Sequence, residues 1–235
     1  MIAVLCAAGI ILLNRLPVRD HWKKRIWLAV FALLGLGSAI GPVFHAFELT
    51  PWSQLALRRV LFPILGLAVG MFVLGAIADR HGRGATHAAR PWAIAAGLAT
   101  LALPFVSSLG FRLFVGFEAV GMVAALIIYV SVWRQGRQPG AGTIAIGIVL
   151  TLLAAVVQGT NLSATIIWPF DHNGLFHLVQ IVALVVTAVG CPAESRTLAE
   201  IGAGRISLPL RGVRHGPIIS PPFSRAVVCA RLEFT

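Results

Sequence analysis

Residues 60–91 read VLFPILGLAVGMFVLGAIADRHGRGATHAARP. The stretch has two halves of opposite character. Val60–Ala78 is a run of 19 residues without a charge. A helix needs about 20 such residues to span the hydrocarbon core of a bilayer. The residues that follow, Asp79 to Pro91, place three arginines and two histidines among glycines. An apolar run of spanning length against a short basic connection is the pattern of a polytopic membrane protein. Within the run, GLAVG sets Gly66 and Gly70 four apart, a spacing that lets two helix backbones approach closely.

The same pattern repeats on both sides. The apolar runs are Ile2–Leu16, Ile26–Phe47, Val60–Ala78, Trp92–Leu109, Leu113–Trp133, Thr143–Thr160 and Leu175–Gly190. They predict an all-α, seven-helix membrane domain over residues 1–190. The first run is short; it lacks a preceding basic region and so does not read as a signal peptide. Of the 235 residues 58% are hydrophobic and 11% charged, against about 25% charged in a soluble domain. The partner this composition demands is the lipid bilayer.

The charges orient the spans. With alternating connections, one side collects Arg15, Arg19, Lys23, Lys24, Arg25, Arg80, Arg83, Arg90, Arg134 and Arg137, plus six tail arginines. The other side has Arg58, Arg59 and Arg112, a split of 16 against 3. Cytoplasmic connections carry the Lys and Arg excess, so the amino terminus lies outside and the tail inside the plasma membrane. The net charge of +11 does not point to nucleic acid, because no aromatic-basic stripe or nucleic-acid motif accompanies it. Residues 191–235 are basic and Pro-rich without a sustained period, which predicts a disordered cytoplasmic tail. Cys6, Cys191 and Cys229 have no metal or disulfide spacing.

Ionisable groups in hydrocarbon are costly, so each is a candidate for function. Span 2 offers Ser38 and His45, seven apart on one face, with Pro42 between them. That proline excludes the carbonyl of Ser38 from the helix ladder. Span 5 offers Glu118. Span 6 ends with Gln158 and Asn161. Span 7 opens with DHNGLFHLVQ, in which Asn173, His177 and Gln180 share a face; His172 joins His177 only from a non-helical entry turn. The orientation puts these groups at similar depth in the outer half. Taken singly, His45 reads as a packing residue and His172 as an interfacial one; their joint depth is what suggests a site.

A seven-span chain with a Ser-then-His element in span 2 and a histidine motif opening span 7 resembles the CREST superfamily of alkaline ceramidases, PAQR receptors and Per1-like proteins. DHNGLFHLVQ is most similar to the segment of its small uncharacterised bacterial members, which implies a bacterial inner membrane. The resemblance implies a zinc site with His45 and His177 as ligands. It puts Asn173 in the place of a further histidine, with His172 or Glu118 as the remaining donor. It implies assisting roles for Ser38 and Glu118 on a lipid amide or ester. The serine position itself falls on Gly41, and the run Val60–Ala78 holds no aspartate where the hydrolases have one. Three readings stand: a non-catalytic or degenerate relative keeping the polar layer for packing or ligand sensing, a zinc-dependent lipid hydrolase, and a small transporter.

Overall fold

A computed structural model describes residues 1–15, 20–43, 47–106, 109–160, 162–165 and 169–191. His45, Asn161 and the tail beyond Cys191 lie outside them. The chain is predominantly helical: α1 (Ile2–Arg15), α2 (His21–Ile40), α3 (Pro51–Ala99), a 3₁₀ turn (Thr100–Phe105), α4 (Gly110–Arg134), α5 (Ala141–Gln158) and α6 (His172–Gly190). A two-residue antiparallel ladder, β1 (Ala164–Thr165) with β2 (Pro169–Phe170), lies between α5 and α6. Among the described residues, Pro51–Phe105, Gly110–Arg134, Ala141–Gln158 and His172–Gly190 are long and apolar enough to cross a membrane; Ile2–Arg15 is apolar but shorter.

α3 is not one rod. Gly82 breaks it with φ 74° and ψ −166°, a conformation that is strained for any residue with a side chain. The two arms, 51–81 and 83–99, then fold back on one another. The Thr100 hydroxyl donates to the Phe62 carbonyl, 2.9 Å away. A Cβ built on Gly66 would lie 2.6 Å from the Gly97 carbonyl oxygen, and one on Gly70 would lie 2.5 Å from that of Ala93. The close approach expected of GLAVG is made, within this hairpin. The segment 83–91, expected as a connection, is instead the first part of the second arm. Its Arg and Ala residues are good helix formers, so the polarity of the segment does not end the helix.

Local chemistry sets the other boundaries. Thr50 caps α3 by accepting from the Ser53 N–H at 3.2 Å, and Pro51 follows at the first helical position, where its missing N–H costs nothing. α2 ends at Ile40, and Pro42, two residues on, has no N–H for the Ser38 carbonyl.

Specific contacts give the directions of the helices. α1 runs antiparallel to α2, with Gly9 against Phe31 and Gly35 against Cys6. α2 runs antiparallel to the first arm of α3, with Gly37 against Leu65 and Trp27 edge-on to Phe72 at 5.4 Å. That arm is parallel to α4: Phe62 stacks on Phe114 at 5.1 Å, and Gly121 abuts Val69. α4 and α5 meet at Trp133 and Gly142, and α5 and α6 meet at Ile144 and Gly190. One core runs through these helices and includes Cys6, Trp27, Phe31, Phe72, Tyr129, Ile144 and Leu184. Large apolar side chains such as Val120, Ile127, Val156 and Val189 point outward, the arrangement expected of a surface solvated by lipid.

Candidate functional site

At the end of the bundle where α3 and α4 begin, the polar residues are held by helix register. Gly37 packs on Leu61 and Leu65, which sets Ser38 level with that turn of α3. The Phe62–Phe114 and Gly121–Val69 contacts set Glu118 level with Gly66 and Leu67. The Gln180 amide donates to the Thr151 hydroxyl at 3.4 Å, so His177 is level with Ala154 on α5. Through Trp133 and Gly142 that level corresponds to Gly121 on α4. Ser38, Glu118 and His177 therefore fall within about 8 Å of depth, at 1.5 Å per residue.

Their environments differ. Phe114, Met122, Ala125 and Tyr129 form the buried stripe of α4, and Glu118 lies on it, half-buried and one turn from Phe114. No hydrogen bond or ion pair reaches Glu118 among the described residues. Ser38 is half-buried on α2. His177 is exposed, with its ring centroid 4.9 Å from that of Phe176. Asn173, His177 and Gln180 continue the stripe that buries Leu184 and Thr187 further along α6.

The start of α6 decides the place of His172. The Asp171 carboxylate accepts from the Gly174 N–H at 2.8 Å, and the helix begins at His172. There is no non-helical entry turn after it. Five residues of helix separate His172 from His177, so the two point about 140° apart. Asn173 stays on the His177 face. Among the described residues no three His, Cys, Asp or Glu side chains are placed to hold one metal ion. A ligand set that includes His45 lies outside the described residues.

The opposite end holds a polar cluster that reading the apolar runs missed. The first arm of α3 continues past Ala78 and buries Asp79, whose side chain is 1% exposed. The Lys23 ammonium, on α2, lies 3.3 Å from Asp79 Oδ1. The Tyr129 hydroxyl, on α4, donates to Asp79 Oδ2 at 2.8 Å. The next residue, Arg80, donates to the Ser131 hydroxyl, and Arg137 donates to the Arg80 carbonyl at 3.3 Å. Lys24 donates to the Asn14 carbonyl at 3.0 Å. A buried carboxylate held by an ammonium and a phenol is charge-compensated, and the three groups tie α2, α3 and α4 together. The signal in the sequence was an acid one residue beyond an apolar run, a lysine at the matching end of the run before it, and the chain's single tyrosine inside another.

The model of a family of unknown function, DUF6962, matches residues 1–195. No curated protein and no solved structure matches the chain.

Proposed function

The chain belongs to DUF6962, a family of unknown function, and from its own residues we propose a seven-span integral protein of the plasma membrane, amino terminus outside, that keeps its outer polar layer for ligand sensing and is a non-catalytic relative of the membrane hydrolases. The fold-back of α3 supports the count, since its two arms add two crossings to the other five helices. The clustering of Arg15, Lys23, Lys24, Arg80, Arg134 and Arg137 at one end supports the orientation. The start of α6 at His172 carries the non-catalytic reading. With His172 turned away from His177, α6 offers one histidine where a catalytic zinc site draws on a pair, and catalytic zinc keeps three protein ligands.

Orientation is tested by single cysteines in a background lacking Cys6, Cys191 and Cys229. Leu49→Cys and Leu162→Cys are expected to react with a membrane-impermeant maleimide on intact cells. Arg83→Cys and Gln135→Cys are expected to react only after lysis. The reverse labelling, or two neighbouring connections labelled from one side, overturns the seven-span arrangement.

Metal content tests the non-catalytic reading. Protein purified without chelator is expected to hold well below one zinc per chain. Stoichiometric zinc, lost in a His45→Ala/His177→Ala variant, would establish the metal site and sink that reading.

A further inference from the structure

The outer end carries three cations that the orientation rule does not ask for, namely Arg58, Arg59 and Arg112. The first arm of α3 explains their depth. Its 31 residues, 51–81, extend about 46 Å, whereas the hydrocarbon core is about 30 Å thick. The arm therefore projects beyond the apolar run that begins at Val60. Arg58 and Arg59 stand immediately above that run, at the level of the lipid headgroups. Phe62 stacks on Phe114, so Arg112 on the parallel α4 lies at the same height, but two residues of helix turn it about 160° from Phe114 and away from α3.

The setting of Arg59 is built. Its guanidinium carbon lies 4.5 Å from the Phe105 ring centroid and 5.8 Å from that of Trp52. Both rings are themselves exposed, at 64% and 72%, as interfacial aromatics are. Its Nε is buried and has no hydrogen-bond partner among the described residues. None of the three arginines has an ion-pair partner among the described residues, and neither Glu48 nor Asp171, acids of the same end, is paired with them. An aromatic-braced guanidinium with unpaired donors, next to the exposed Arg58, is matched to a phosphate oxyanion.

We propose that Arg58 and Arg59 form a phosphate-binding site at the outer membrane surface, occupied by the headgroup phosphate of an anionic phospholipid. The lipid is favoured over free phosphate because the exposed Trp52, Phe105 and Phe111 provide apolar surface for glycerol and acyl groups beside the cations. The proposal rests on the membrane orientation above. Lipid retention does not depend on sidedness, however, so its failure and a failure of the orientation are read separately.

The test is native mass spectrometry of the full chain released from detergent with phosphatidylglycerol, phosphatidylcholine or inorganic phosphate. Phosphatidylglycerol is expected to stay bound in preference to phosphatidylcholine. Arg58→Gln, which leaves the Arg59 packing intact, is expected to weaken retention roughly tenfold, because charge-assisted hydrogen bonds are lost. Arg59→Gln is expected to weaken it further. Arg83→Gln/Arg90→Gln, at the opposite end, is expected to leave it unchanged. Equal retention by the Arg58→Gln variant, or equal loss in the Arg83/Arg90 control, overturns the site. Inorganic phosphate displacing the lipid at equal concentration overturns the assignment to a lipid.

Discussion

Asp79→Ala is expected to destabilise the bundle by about 3 kcal/mol, the largest effect of any single polar change in the chain. The variant removes the counter-charge of Lys23 and the acceptor of the Tyr129 hydroxyl in one step. Breaking a buried pair from one side costs about 3–5 kcal/mol; the lower end applies because the Lys23 side chain keeps 15% exposure and can shift towards water. Asp79→Asn keeps an acceptor for Tyr129 but loses the charge, and is expected to fall between wild type and alanine. The double variant Lys23→Met/Asp79→Leu removes both charges and is expected to recover most of the loss, because apolar replacements of a buried pair are often neutral. Denaturant unfolding of the purified protein in detergent measures all four. A loss below about 1 kcal/mol for Asp79→Ala, or a double variant no better than the single one, would show that the cluster does not hold the helices.

The second large effect is expected where α3 folds on itself. Gly66→Ala and Gly97→Ala each place a methyl group against backbone: the Gly97 carbonyl at 2.6 Å in the first case, Leu67 Cα at 2.8 Å in the second. Backbone cannot rotate away as a side chain can, so the two arms must separate along their whole contact. Overpacking of this kind costs about 1–3 kcal/mol, and the upper part of that range is expected at each position. The double variant is expected to cost less than the sum, since one separation relieves both clashes. Gly84→Ala is the control. It lies on the same second arm, where a Cβ meets nothing within 4 Å, and alanine is expected to be neutral or mildly stabilising. Monodispersity and thermal stability read the contrast. Gly66→Ala as harmless as Gly84→Ala would mean that the arms do not pack through this face.

The polar layer was legible as a set of residues, and the common depth of its described members follows from helix register, because helical rise is fixed at 1.5 Å per residue. Neighbourhood was less legible. DHNGLFHLVQ names its histidines, but whether His172 joins His177 turns on where the helix begins, and that is set by the Asp171 carboxylate closing on the Gly174 N–H. Asp79 was harder still. An acid at the end of an apolar run reads as a solvated terminus until the partners from two other helices are in place.

By itself the sequence determined the apolar helices, the alternation of basic connections and the small-residue spacing at Gly66 and Gly70. Each of these is a property of one segment and its solvent: hydrocarbon selects apolar side chains and requires backbone groups to pair within the segment. Tertiary structure alone decided that the reversal expected between Asp79 and Pro91 falls at Gly82, that the α3 helix extends into polar sequence on both sides of the apolar run, and that Lys23, Asp79 and Tyr129 meet. Hydropathy records where lipid stops. A helix stops where its backbone loses partners, and a buried charge is tolerated only where another segment brings its complement.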